Sequence, residues 1–323
     1  MADGEKLRVV ATTSIVGDVV AQVGGDATSL TVLIEPGQDP HAYQPSARDF
    51  ATAAQAHVIF VNGFDLEENL LQDLESAAEG VPIVPVSAGI EPLEPKPDNY
   101  DGEGHSDEDE GEELDGEVEG EEQKDEQEDE EPSDEHEGEG DTHNHAQNPH
   151  VWLNVSHVER WTDNIEQVLS DLDPANAETY TSNAEAYEGE LTTLDEFVRE
   201  TVNGIPEENR KLVTNHDAFV YLAEAYGFEV IGTVIPNFST NAEPSASDLS
   251  ELIKTIKKEQ VPAIFIDSSA SDKLAQVVAD ETGAAVFELY TETLGSSEEG
   301  ADSYIGMMRA NVETIQEALG DTQ

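Results

Sequence analysis

Leu7-Arg8-Val9-Val10-Ala11-Thr12, followed after two residues by Ile15-Val16-Gly17-Asp18-Val19-Val20-Ala21-Gln22-Val23 and closed by Gly24-Gly25, decides the fold class. The first run is apolar or β-branched apart from Arg8, which predicts a buried strand. The second predicts a helix stopped by the glycine pair. The same alternation continues outward. Ser29 to Glu35 predicts a strand, broken at Pro36-Gly37. A loop then leads to Ser46, the expected N-cap of a helix through Ala56. His57 to Asn62 predicts a third strand, Glu67 to Ala78 a helix and Val81 to Val86 a fourth strand. Strands alternating with helices predict a parallel sheet covered on both faces.

Glu91 to about Ala146 interrupts the pattern. The run from Glu91 to Gln147 holds 27 acidic residues and 2 lysines, with His105, His136, His143 and His145 among them. It is too poor in apolar residues to offset chain entropy, so disorder is expected there. Its function is either a solvated tether or weak metal capture by imidazoles and carboxylates. Beyond it, His157 to Leu172 predicts a helix, and Asn176 to about Val202 a second one of some 27 residues. At 1.5 Å per residue that helix is about 40 Å long, the width of a domain.

The strand and helix alternation then resumes. Strands are expected at Lys211–Thr214, Glu229–Ile235, Pro262–Ile266 and Ala285–Tyr290, with helices at Ala218–Tyr226, Ser247–Glu259, Asp272–Thr282 and Ser303–Leu319. The expected architecture is α/β with two lobes, each a mostly parallel sheet covered by helices, joined by one long rigid helix. Residues 1–155 form the first lobe, with the insert at about 91–147. Residues 156–204 form the helical connector, and 205–323 the second lobe.

A formal charge of −59 disfavours a nucleic-acid partner, which needs a basic face. Outside the insert, 46 acids against 12 bases still leave −34. Such a surface suits high salt, where the Debye length falls to about 3 Å at 1 M and self-repulsion is screened. A halophilic protein is therefore expected. The chain has no cysteine, hence no disulfide and no thiolate site. It has no run of 18 apolar residues to span a membrane. Met1 to Lys6 lacks the apolar segment of a signal peptide, which predicts a cytoplasmic chain or one whose leader has been removed.

Three histidines stand in similar settings. His41 follows a strand in Gln38-Asp39-Pro40-His41-Ala42-Tyr43-Gln44-Pro45. His150 lies in Asn148-Pro149-His150-Val151-Trp152-Leu153-Asn154, where Pro149 keeps the chain extended at what reads as a strand-like restart. His216 follows a strand in Thr214-Asn215-His216-Asp217. In open α/β sheets, ligands bind beyond the carboxyl ends of the strands. If the two halves face each other, these loops converge on one cleft. Three imidazoles and a carboxylate make a closed tetrahedral metal site, and Glu292 in the last loop is placed to complete it. His57 and His157 begin regular elements and are expected to be structural. Trp152 and Tyr43 are expected to pack around the site, and Asp39 and Asp217 to orient imidazoles or face solvent.

At these residues the chain resembles the zinc/manganese solute-binding proteins of ABC metal importers. The matching motifs are the two histidine stretches quoted above with Asp49, then Thr214-Asn215-His216-Asp217-Ala218-Phe219, and Gly300-Ala301-Asp302-Ser303-Tyr304 through Asn311. They occur in the family's order over nearly the whole chain. The resemblance implies two α/β lobes joined by a long helix with one metal between them, and a ligand role for His41, His150, His216 and, at the family's acidic position, Glu292. It implies an extracytoplasmic protein, lipid-anchored in its native precursor, that delivers the metal to membrane permease subunits of an ABC transporter. A monomer without enzymatic activity is expected.

Zinc is the expected ion, with manganese the alternative. Family members that select manganese often carry a carboxylate in place of the third histidine, whereas His216 is an imidazole. A zinc hydrolase would need an open coordination position, which a fourth protein ligand fills. A metal buffer whose main site is the insert is the remaining alternative.

Overall fold

The computed structural model describes residues 5–93, 147–269 and 271–320. The acidic run with His105, His136, His143 and His145 lies outside the described residues.

The first sheet is built from β1 (Leu7–Ala11), β2 (Thr28–Val32), β3 (Val58–Val61) and β4 (Ile83–Pro85) in the order β2-β1-β3-β4, all parallel. Leu7 pairs with Thr28, Val9 with Val58 and Ile59 with Ile83. The central strands are buried on both faces, which is why they read as continuous apolar runs. Because side chains alternate along a strand, Val9, Ala11, Val58 and Phe60 enter one core, with Ile15, Val16 and Val19 of α1 (Ser14–Gly24). Val10, Ile59 and Val61 enter another with Ala53 of α2 (Ala47–Ala53) and Leu70 and Leu74 of α3 (Glu68–Ala77). At Gly17 a Cβ would lie 2.5 Å from Val32 Cγ2, so only glycine lets α1 approach β2 this closely.

Two helices follow, α4 (Val155–Leu172) and α5 (Ala177–Asn203). The second sheet repeats the first: β5 (Lys211–Thr214), β6 (Glu229–Thr233), β7 (Ala263–Asp267) and β8 (Ala285–Leu289), parallel in the order β6-β5-β7-β8. Leu212, Ala263 and Phe265 point to one face. Val213 and Ile264 point to the other, against Leu252 and Ile256 of α7 (Ala246–Glu259) and Val278 of α8 (Lys273–Thr282). The short α6 (Val220–Tyr226) and the last helix α9 (Tyr304–Leu319) complete the lobe.

The 27-residue α5 runs along both lobes, packing on α1 and α4 and on α6 and α9. One continuous core results, joining Val9 and Ile15 of the first lobe to Leu191 and Leu194 of α5 and Phe265 and Met308 of the second. Trp152 and Trp161 are buried within it. Truncating either to alanine costs about 3–5 kcal/mol by the usual behaviour of buried aromatics.

Several boundaries differ from those expected. β4 is assigned to Ile83–Pro85 and not 81–86, although bonds from Ile59 N to the Pro82 carbonyl and from Val86 N to the Val61 carbonyl flank it. α2 ends at Ala53 and not Ala56, because the chain tightens into turn bonds from Gln55 to Thr52 and from Ala56 to Ala53. β2 is assigned to Val32 and not Glu35, although Leu33 and Ile34 still donate to Ala11 and Thr12. α4 begins at Val155, two residues before His157, because the Asn154 side chain caps it by accepting from Ser156 N. α6 begins at Val220, since Ala218 N is turned back onto the His216 carbonyl.

Candidate metal centre

Three loops at the carboxyl ends of strands and one segment leading into a 3-10 turn supply the candidate ligands. His41 stands nine residues beyond β2, His216 two beyond β5 and Glu292 three beyond β8. His150 immediately precedes a single 3-10 turn at Val151–Leu153, so the strand-like restart expected there is absent. All four side chains are buried, with exposures of 7%, 0%, 2% and 1% for His41, His150, His216 and Glu292. One ligand atom from each lies within 4.8 Å of all the others. The structure therefore brings together the four residues singled out in the sequence.

The donor atoms crowd one point. His150 Nε2 is 3.1 Å from His216 Nε2 and 3.5 Å from His41 Nε2. A tetrahedral ion with bonds of about 2.1 Å has ligand–ligand edges of about 3.4 Å, which these distances bracket. Glu292 Oε1 is 2.7 Å from His150 Nε2 and 2.9 Å from His216 Nε2, and Oε2 is 3.7 Å from His41 Nε2.

Asn148 decides the tautomer of His150. Its Nδ2 donates to the Asp217 carbonyl at 2.6 Å, which turns Oδ1 toward His150. Oδ1 can only accept, so the ring bond at 2.8 Å requires the proton on His150 Nδ1. In neutral His150 the Nε2 lone pair then faces the Glu292 carboxylate. Two acceptors at 2.7 Å repel unless a proton or a cation lies between them. Glu292 Oε2 is buried without a hydrogen-bond partner, a further lone pair directed into the same space.

The electrostatics follow from burial and proximity. Burial pushes His41 and His150 below the ordinary histidine value, against the pull of Glu292. Burial opposes charge on His216 too, but hydrogen bonding and attraction from Glu292 outweigh it and raise its value. For Glu292, burial is outweighed by the imidazoles of His150 and His41, which hold the carboxyl well below the usual range. Asp267, at the end of β7, is pushed up to about 6 by burial and then by the charge of Glu292.

The surrounding residues hold the loops. Trp152 packs with its ring centroid 5.3 Å from that of His150, tilted by 58°, and its Nε1 donates to the Thr291 carbonyl beside Glu292. Asn311 brackets the start of the last loop, accepting from Tyr290 N and donating to Tyr290 O. Thr293 Oγ1 accepts from Gly37 N at 2.8 Å, tying the Glu292 loop to the His41 loop. Tyr43 packs nearby and donates to Asp49 and to the Leu33 carbonyl.

Asp39 was expected to orient an imidazole or to face solvent. Its carboxylate accepts the backbone N–H of His41 and the hydroxyl of Thr240. Asp217 contributes its main chain, donating to the Asn237 carbonyl and accepting from Asn148. His57 and His157 lie away from the cluster in structural bonds. His57 Nδ1 accepts from Arg8 N, and His157 Nδ1 donates to the Val151 carbonyl.

One contributor had no reading as part of the site. Glu67, expected only as the start of a helix, is buried and accepts from Thr12 Oγ1, Asn62 N and Gly63 N. It holds a left-handed turn in which Gly63, Phe64 and Asp65 have φ of 94°, 53° and 60°. Asn62 Nδ2, in that turn, donates to the Pro149 carbonyl beside His150. Three successive left-handed residues leave no periodic signature from which such a brace could be found.

Comparison with known proteins agrees with this geometry. The family model for the periplasmic component A of the zinc-uptake complex matches residues 9–318. The manganese-binding lipoprotein MntA of Halalkalibacterium halodurans is 31% identical over 320 residues, which cover 98% of this chain and 90% of that protein. The metal ABC transporter substrate-binding lipoprotein ScbA of Streptococcus cristatus is 30% identical, over 97% of this chain and 89% of its own. The solved structure of the periplasmic zinc-binding protein TroA from Treponema pallidum superposes with a TM-score of 0.78 at 27% identity, covering 98% of this chain and all of that one.

Proposed function

The chain belongs to the family of periplasmic zinc-uptake components, the metal-binding, non-enzymatic subunits of ABC importers, and from that premise we propose that it captures one zinc ion between its lobes. His41, His150, His216 and Glu292 are the proposed ligands. The observation that carries this reading is the gathering of one ligand atom from each of four side chains at one buried point, above all His150 Nε2 facing Glu292 Oε1 at 2.7 Å. A divalent cation converts that repulsion into four bonds. Three imidazoles and one carboxylate suit zinc.

Extracytoplasmic capture and delivery to a membrane permease are proposed from the same membership. Among the described residues no helix is long and apolar enough to cross a membrane.

Manganese is the second reading, and one observation favours it. Glu292 Oε2 is buried and unpartnered, and a bidentate carboxylate would raise the oxygen share that manganese prefers. The deciding experiment is competitive: calorimetric titration of the metal-free chain with zinc and manganese, each alone and in the presence of the other. Displacement of bound zinc by equimolar manganese would overturn the zinc assignment. Absence of any tight equivalent of either ion would overturn the site.

A further inference from the structure

His41 lies on a stretch without helix or strand from Leu33 to Ser46, so something other than regular structure must fix its position. The grip comes from the opposite lobe, from the loop between β6 and α7. Thr240 Oγ1 donates to Asp39 Oδ2 at 2.6 Å, while Asp39 Oδ1 accepts the His41 backbone N–H at 2.9 Å. Asn241 Nδ2 donates to the His41 carbonyl at 2.6 Å. The main chain on both sides of His41 is thus held by two neighbouring side chains of the second lobe. This clasp exists only while the lobes are together.

The loop also has room to leave. A cavity of about 340 Å³ is lined by Thr240, Glu243 and Pro244 of the loop, together with Asn215, Ser271 and Leu274. Asn215 Nδ2 is buried and has no hydrogen-bond partner. A buried, unmet N–H favours any oxygen that can reach it.

We propose that Thr240 and Asn241 are positioning residues for His41, and that their clasp sets how long the metal stays bound. Release begins when the loop lets go of Asp39 and His41 and folds into the cavity, where a loop oxygen meets Asn215 Nδ2. His41 then moves off the ion, which is left with three ligands. The inference rests on the reading of His41 as a ligand.

The test is a chelator chase. The full chain carrying one equivalent of zinc is mixed with excess chromogenic chelator, and release is followed by absorbance. Thr240→Val with Asn241→Ala removes one hydrogen bond to a carboxylate and one to a carbonyl. The release rate should rise about ten-fold or more. Thr240→Ser, which keeps the hydroxyl, should release at nearly the parent rate, a rescue that a purely steric role for Thr240 would not give. Ser271→Leu fills part of the cavity and should slow release. Unchanged release in the double variant, with one zinc still bound per chain, overturns the clasp alone. Release from Ser271→Leu as fast as from the parent overturns the cavity as the loop's destination. A parent chain that takes up no zinc overturns both the clasp and the ligand assignment.

Discussion

Asn148 Oδ1 accepts two hydrogen bonds from His150, one from its backbone nitrogen at 3.0 Å and one from ring Nδ1 at 2.8 Å. The same amide donates to Asp217 O, next to His216, so one side chain orients one imidazole and braces the loop of another. Partners of this kind typically contribute ten- to hundred-fold in metal affinity. Asn148→Ala should therefore weaken metal binding by about ten- to hundred-fold, with stoichiometry unchanged. Calorimetry checks this, and an unaltered dissociation constant would remove Asn148 from the machinery.

Direct ligands should weigh more than bystanders. His216→Ala removes a donor from the centre, whereas His57→Ala loses a side-chain bond from Arg8 N near the start of β1. The first should abolish tight binding and the second leave it intact. Equal effects from the two substitutions would sink the ligand assignment.

Protons compete with the metal for the three Nε2 atoms. His216, raised from 6.5 by Glu292, is the first to take up a proton as pH falls. Affinity should therefore begin to decline above pH 6.5 and drop steeply below it. The metal-free fold responds with mixed sign. His41 and His150 are lowered, so their contribution is present above 6.5 and lost as pH falls. Glu292, lowered from 4.5, contributes above that value and loses it in stronger acid. His216 contributes below 6.5 and loses it as pH rises through its raised value. Zinc titrations from about pH 8 to 5, bracketing the ordinary histidine value, read the first effect. A flat profile would exclude the histidines.

Salt should stabilise the fold. With 46 acids and 12 bases outside the acidic run, self-repulsion opposes folding until it is screened. The melting temperature should climb as sodium chloride goes from tens of millimolar to molar, roughly the range over which the Debye length shrinks to 3 Å. A constant melting temperature contradicts the halophilic reading.

Removing residues 98–142 should spare the tight site, because His41, His150, His216 and Glu292 all lie outside that run. Weaker equivalents should fall in number, since His105 and His136 go with it. Calorimetry on the shortened chain would show loss of the tight equivalent if the run supplied a primary ligand.

Local order was readable because it has local causes. Runs such as Val58–Val61 can only be strands buried on both faces, and the alternation of strand and helix admits only parallel sheets. His41 and His216 were readable because each stands beyond a strand end, and His150 because the stretch Asn148-Pro149-His150-Val151-Trp152-Leu153 marked it, although it precedes a 3-10 turn and follows no strand. Element ends were less legible, as at α2, where turn bonds from Gln55 to Thr52 and from Ala56 to Ala53 end the helix early.

What tertiary structure alone decided is which groups share a buried space. The last loop offers Glu292, Glu298, Glu299 and Asp302, all acidic and close in sequence. Only Glu292 is buried, because Tyr290 is held by Asn311 and Thr291 by Trp152, and these bonds turn Glu292 inward. Asn148, Thr240 and Asn241 act across 69, 201 and 200 positions of chain on Asp217, Asp39 and His41. No period of 2 or 3.6 residues carries information over such distances. The sequence determined the two sheets and nominated the candidate ligands. Closure of one lobe on the other determined their tautomer, burial and grip, since those depend on groups that meet only in the folded chain.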